Sequence, residues 1–228
     1  DFGMHVMRVV YNESKKKSTR HAVVTMKILN DQQEERMRYF YYWNKFLSDS
    51  ESSLIKFFRP KNIKGTALLT TSDSQDDSKL QWIYFPAVKA VKRLSSSDKN
   101  ASFMGSDFTH SDIAGRKLTQ DRHRLVRETD SSYWIESVPI NKGESMYSKI
   151  NNIVSKNYRV IQKAIFYDLD GNKLKTLVNS QVSLVNDVHV VMHSEMMNHR
   201  TKGKTILMVQ SMDVGLEIGD DLLSIQGL

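Results

Sequence analysis

Alternation with a period of two is the feature that most constrains this chain. In residues 22–30, Val24, Met26 and Ile28 fall on one side, and Thr25 and Lys27 on the other. Similar segments, rich in β-branched and aromatic residues, return at 36–47, 53–58, 66–71, 80–85, 125–129, 133–138, 158–167, 174–179, 188–196 and 205–210. Such segments read as half-buried strands. Asp170-Gly171-Asn172 and Lys202-Gly203-Lys204 lie between strand segments and read as hairpin turns, Gly171 supplying a positive φ. Residues 73–78 read as a polar loop. About eleven strands joined by hairpins imply a large antiparallel sheet, which must curl or pack on something.

Helical signals are few. Phe2, Val6, Val9 and Val10 lie near helical spacing, so residues 1–20 are expected to hold a helix across the sheet and a loop. Residues 107–115 predict a short helix with Ser106 as N-cap and Gly115 as its stop. Residues 144–156 fit a helix and a strand equally well. No repeat or linker divides the 228 residues, and one domain over 1–228 is expected.

Composition removes several function classes. Cysteine is absent, which excludes disulfides, cysteine–metal sites and a thiol nucleophile. The longest uncharged apolar run, residues 82–88, is seven residues, against roughly 20 for a helix that spans a bilayer. No signal peptide is visible, and the chain opens Asp1-Phe2-Gly3 without an initiator Met, as a trimmed mature or cloned segment would. The net charge of +7 is uneven: residues 1–100 hold 18 Lys and Arg against 11 Asp and Glu, and the remainder hold 15 of each. That asymmetry suits docking to an acidic partner. The only basic run, Lys15-Lys16-Lys17, reads as a solvated loop, and no nucleic-acid partner is expected.

The motifs that would carry catalysis fail on inspection. Gly203-Lys204-Thr205 ends like a phosphate-binding loop, but Asn198 stands where the first glycine belongs. His189 and His193 share a strand face about 13 Å apart, too far to chelate one ion. Asp168-Leu169-Asp170-Gly171 has its glycine too early for a calcium loop and lacks the closing glutamate. No G-x-S-x-G elbow occurs. No enzyme activity, cofactor or metal is expected.

One stretch is more specific. Trp82-Ile83-Tyr84-Phe85-Pro86-Ala87-Val88-Lys89-Ala90-Val91-Lys92-Arg93-Leu94, followed by Phe103-Met104-Gly105-Ser106-Asp107-Phe108, resembles the LolA-like outer-membrane lipoprotein-sorting family found beside resistance–nodulation–division exporters. Phe57-Phe58-Arg59-Pro60, Lys64-Gly65-Thr66, Phe166-Tyr167-Asp168, Gly171, Leu174-Lys175 and the end from Val214-Gly215-Leu216 fit the same pattern in order. The resemblance covers residues 20–228. It implies an incomplete antiparallel β-barrel whose open side is covered by short helices. It also implies an apolar cavity for acyl chains of a lipoprotein or lipid, and a periplasmic setting. The alternative is an accessory that docks on an inner-membrane exporter and carries no cargo.

Strand parity then nominates a cavity wall. With Thr25 and Lys27 facing water, Val24, Met26 and Ile28 face inward. With Arg36 and Arg38 outside, Met37, Tyr39, Tyr41 and Trp43 face inward. Lys56 outside turns Ile55 and Phe57 inward, and Trp82 and Tyr84 are assigned inward because they lead to Pro86. Pro86, Arg93, Phe103, Met104, Gly105, Ser106, Asp107 and Phe108 have two readings: a structural one, in which Pro86 ends a strand and Asp107 pairs with Arg93 or caps a turn, and a gate loop at the cavity mouth.

Overall fold

The computed structural model describes residues 1–47, 50–72 and 79–228; residues 73–78, read from sequence as a polar loop, lie outside them. The strands are β1 (Thr19–Leu29), β2 (Glu35–Phe46), β3 (Glu51–Arg59), β4 (Ala67–Ser72), β5 (Leu80–Phe85), β6 (Ala90–Arg93), β7 (Asp121–Glu128), β8 (Ser132–Pro139), β9 (Lys149–Ser155), β10 (Ile161–Tyr167), β11 (Lys173–Val185), β12 (Val188–Asn198) and β13 (Lys204–Val214). All thirteen belong to one sheet in the order β6-β5-β4-β3-β2-β1-β13-β12-β11-β10-β9-β8-β7. Neighbours pair antiparallel throughout. The first half of the chain forms a meander, and the second returns so that β13 pairs with β1. The edges β6 and β7 do not meet, so the barrel is incomplete.

Two strands go beyond the alternating segments. β6 is four exposed residues and carries no apolar period. β9 makes residues 149–155 of the ambiguous stretch 144–156 a strand, with Ile150 and Val154 buried. Both expected hairpins form, β10–β11 at Gly171, which has φ +83°, and β12–β13 at residues 199–203.

The helices are α1 (Phe2–Lys15), α2 (Ser96–Lys99) and α3 (His110–Ala114). The cap of α3 is Thr109, not Ser106. The Thr109 hydroxyl accepts from the Asp112 N–H at 3.0 Å and the Asp112 carboxylate accepts from the Thr109 N–H at 2.8 Å, a reciprocal capping box. Ser106 instead turns its hydroxyl to the Phe108 N–H, which tightens the loop before the helix.

Chain topology explains how the sheet is covered. The stretch from Leu94 to Gln120 connects the two edge strands, so it must cross the mouth of the half-barrel. It does so through the concave face, where Phe103 and Phe108 are buried. The face beside it is taken by α1, whose Val6 and Met7 pack on Ile135 and Val154. At Gly3 the helix approaches β7 so closely that a Cβ would lie 2.5 Å from the His123 carbonyl oxygen. The convex face is covered in part by the C-terminal tail: Ile218 and Leu223 pack with Leu54, Ala67 and Leu69, against Trp43, Trp82 and Tyr84.

Candidate functional site

Directly opposed residues on antiparallel strands point to the same face. Register therefore traces the concave surface strand by strand. One row runs Ala22, Tyr42, Ile55, Leu68 and Ile83 across β1 to β5. The next begins Val24, Phe40 and Phe57. Both rows join Met26, Ile28, Leu94 and Phe103 in one apolar cluster. A second cluster continues the interior over β9 to β12, with Phe108, Tyr147, Ile150, Ala164, Phe166, Leu174 and Met196, and Leu207 touches both.

The structure places Val24, Met26, Ile28, Ile55 and Phe57 on this concave face. It places Met37, Tyr39, Tyr41 and Trp43 on the other. Val24 opposes Phe40 and Met26 opposes Arg38, so Arg36 and Arg38 lie on the inner side of the sheet, and Met37, Tyr39, Tyr41 and Trp43 point out. Taking both arginines as solvent markers reversed the parity of β2, because an arginine can lie along an apolar wall with its stem packed. Trp82 and Tyr84 are also outward; Ile83 is the inward residue of β5, and the two outward rings pack toward the C-terminal tail. Outside, His21, Trp43, Tyr41, Phe58 and Tyr39 form a chain of ring contacts with centroids 4.6–6.2 Å apart.

The expected gate residues separate. Pro86 lies in the β5–β6 turn and Arg93 is exposed at the end of β6. Phe103 to Phe108 sit inside the half-barrel as the core of its cover. Asp107 does not pair with Arg93. Its carboxylate accepts from the Thr205 hydroxyl at 2.7 Å, and its N–H donates to the same hydroxyl at 2.9 Å. Thr205 is fully buried on β13, so this contact ties the cover to the wall. Burial pushes the Asp107 carboxyl above the ordinary aspartate range despite that bond. A second tie joins Asp112 to Lys175 at 3.0 Å, and the Tyr147 hydroxyl donates to Asp112 at 2.8 Å. Burial and the Asp112 carboxylate push the Tyr147 phenol up.

Sequence reading missed a polar row. Beside the row of Ala22 and Tyr42, register aligns Arg20, Asn44, Ser53, Thr70 and Gln81 across five strands. Asn44 and Gln81 are fully buried. Gln81 donates to Thr70 at 3.3 Å and to the His110 carbonyl at 3.1 Å. Arg20 Nε and Nη2, Asn44 Oδ1, Gln81 Oε1 and His110 Nδ1 are buried without a hydrogen-bond partner among the described residues. No local motif announces such a row, because its members are joined by cross-strand register alone. Where β6 and β7 fail to meet, a cleft of about 880 Å³ opens, lined by Gln81, Arg93, Leu94 and Arg116 among others.

Gly203-Lys204-Thr205 lies at a hairpin and not before a helix. Among the described residues no three metal-ligating side chains converge, and no helix is long and apolar enough to cross a membrane.

An open antiparallel half-barrel with a covered apolar interior is the architecture of LolA-like proteins. A domain described as one for outer membrane lipoprotein sorting, from Vibrio parahaemolyticus, superposes with a TM-score of 0.91 at 25% identity, over 97% of this chain and 96% of its own. A DUF1329 family protein from Desulfovibrio piger gives 0.92 at 23% identity, over 100% and 99%. A LolA superfamily protein from Nitrosomonas europaea gives 0.76 at 17% identity, over 99% of each chain. A family model described as "-like: Uncharacterized protein" matches residues 49–228, and the chain belongs to that family, whose fold is LolA-like. No curated protein matches the sequence.

Proposed function

We propose that this protein is a non-enzymatic periplasmic carrier that takes acyl chains of a lipoprotein or lipid into its concave interior. The observation that carries this reading is the nature of the cover. The apolar rows through Ala22 and Val24 are roofed by the connecting segment, and α1 covers the neighbouring wall at Ile135 and Val154, where a closed barrel or sandwich would be sealed by sheet. Withdrawing the stretch around Phe103 and Phe108 would uncover a wall of Val24, Met26, Ile28, Phe40, Ile55 and Phe57. Each methylene of an acyl chain buried there gains about 0.8 kcal/mol. The lipoprotein-sorting description of the Vibrio relative supports the same class of cargo. Native mass spectrometry after gentle extraction, with titration of a fluorescent fatty acid, tests the reading. A copurifying lipid and micromolar probe binding are expected; neither lipid nor probe would overturn it.

A second reading has its own observation. The ring chain of His21, Trp43, Tyr41 and Phe58 lies on the outer face, with Tyr41 36% exposed. Exposed aromatics beside a basic region suit docking on an acidic periplasmic loop of an inner-membrane exporter. Pull-down of an exporter's periplasmic domain that survives bulky substitutions in the interior, and fails with Tyr41→Ser, would favour this accessory role.

A further inference from the structure

At the β1–β2 hairpin the concave wall ends in two arginines. Register sets Arg38 opposite Met26 and Arg36 opposite Ile28, so both share the inner face with the apolar cluster that holds Met26 and Ile28. Met26 and Ile28 are buried, Arg38 is half-buried and Arg36 is exposed. The wall therefore changes from apolar to cationic toward its rim. On the other side of β1 the same two rows continue through Leu207 and Ser194, and through Thr205 and Met196, without a charge of either sign.

Neither guanidinium has an ion pair or a hydrogen bond among the described residues. The carboxylates closest in sequence or register are engaged elsewhere. Glu34 accepts from the Asn30 amide at 2.7 Å, Glu35 pairs with Lys27, and Asp107 accepts from Thr205 at 2.7 Å. Arg38 Nε is enclosed without a partner, whereas its terminal nitrogens are not enclosed and can be reached from the rim. Burial pushes the Arg38 guanidinium below its ordinary pKa, and the like charge of Arg36 adds to that push. A cation taken partly out of water beside another cation costs free energy, which an opposite charge normally offsets. Arg36 and Arg38 stand two residues apart on one strand, about 7 Å between Cα atoms, so both forks can reach one oxyanion. A small free anion would meet the two charges and leave the apolar wall beside them unused. An amphiphile meets both, its oxyanion on the guanidinium forks and its chain on the wall.

We infer that Arg36 and Arg38 bind the anionic headgroup of an amphiphile whose chain lies on the concave wall over Met26, Ile28 and Phe40. This rests on the carrier reading and narrows its cargo to molecules with a net negative headgroup.

Displacement of an uncharged naphthylamine probe from the interior tests the site. The competitors are lysophosphatidylglycerol and lysophosphatidylcholine of equal chain length, which share chain and phosphate and differ in net charge. Lysophosphatidylglycerol should bind about tenfold more tightly at low salt, a difference of about 1.4 kcal/mol, and the margin should narrow as salt rises. Arg36→Gln and Arg38→Gln should each reduce the preference. The double variant should abolish it and leave lysophosphatidylcholine binding unchanged. Arg38→Lys should keep part of it, since it retains the charge without the fork. Removing the arginines relieves like-charge repulsion, so the urea midpoint of the unliganded double variant should hold or rise, and a lost preference then has no origin in unfolding. A fatty acid of the same length is the third competitor. A preference for it alone makes the headgroup a carboxylate, and a preference for lysophosphatidylglycerol makes it a phosphate; either supports the site. If neither anion is preferred over lysophosphatidylcholine, or if the preference survives in the double variant, the site is overturned while the carrier reading stands. Failure of the probe and all three amphiphiles to bind would overturn the carrier reading and the site with it.

Discussion

Asp112 and Lys175 meet at 3.0 Å with both side chains at most 6% exposed, one on α3 of the cover and the other on β11 of the wall. Asp112 also accepts from the Thr109 N–H and the Tyr147 hydroxyl, so its two oxygens hold three partners. A buried ion pair does not stabilise much against a well-packed apolar pair, but losing one member leaves the other charge stranded. Asp112→Ala is expected to cost about 3–5 kcal/mol. The double variant Asp112→Leu with Lys175→Met should recover most of that. The residual deficit should be about 1 kcal/mol from the lost helix cap. Urea denaturation of the three proteins measures it. A single-variant loss under about 1 kcal/mol would show that the pair is solvated.

Gly3 sets two effects of opposite sign against each other. Alanine is the better helix former by about 1 kcal/mol. Its Cβ, however, would sit 2.5 Å from the His123 carbonyl oxygen and 2.8 Å from the carbonyl carbon, and strand backbone does not yield as a side chain would. Overpacking of that kind costs about 1–3 kcal/mol. Gly3→Ala is therefore expected to be destabilising overall and to raise amide exchange in α1. A stabilised variant would mean that the helix slides freely on β7.

Much of this architecture is legible in the sequence, and the failures share one cause. Strands with alternating apolar residues, such as Val24, Met26 and Ile28, announce both their existence and their buried face. β2 announces its existence only, because Phe40 and Tyr42 on one side and Tyr39, Tyr41 and Trp43 on the other are equally apolar. The decision then fell to Arg36 and Arg38, and their long stems made them poor markers. Trp82 and Tyr84 misled for a related reason: a C-terminal tail buries part of the outer face, so an apolar residue need not face the barrel interior. β6 has no alternation, since none of its four residues is buried. The row from Arg20 to Gln81 spans 62 positions, and only the register of five strands assembles it.

His123 should make the fold sensitive to mild acid. Its Nε2 faces the Leu118 carbonyl at 3.2 Å and so carries the proton. Its Nδ1 then accepts from the Ser137 hydroxyl, 2.8 Å away, which in turn accepts from Asn152 at 3.0 Å. Burial pushes the imidazole pKa down, and burial does the same to His110 and His199. Above about pH 6.5 these rings are neutral in both folded and unfolded chains and contribute no pH dependence. As the pH falls through that value, the unfolded chain takes up protons that the native rings resist, so stability declines. The slope is at most about 1.4 kcal/mol per pH unit for each ring, until the native rings protonate. Between about pH 6.5 and 5, denaturation midpoints should drop, and His123→Gln should flatten the slope. A midpoint independent of pH over that window would show that these rings protonate freely in the native state.

Phe40 and Tyr41 are adjacent on β2 and divide the two faces of the sheet, which makes them the sharpest test of where cargo lies. Phe40 is 3% exposed, opposes Val24 and Phe57, and stacks edge-on with Phe57 at 5.3 Å. Tyr41 is 36% exposed and touches the Trp43 and Phe58 rings outside. Replacing Phe40 by Ala removes a buried ring and is expected to cost about 3–5 kcal/mol. Tyr41→Ala loses ring contacts worth about 0.5–1.5 kcal/mol each, on a surface that water can refill. Stability alone would not locate a ligand, so the milder Phe40→Leu is the variant for binding. It keeps an apolar side chain while reshaping the wall beside Val24. Affinity for a fluorescent fatty acid should fall several-fold with Phe40→Leu, and should stay within about twofold with Tyr41→Ala, a difference under 0.5 kcal/mol. The reverse ranking would put the acyl chains on the outer aromatic face and remove the concave interior as the binding site.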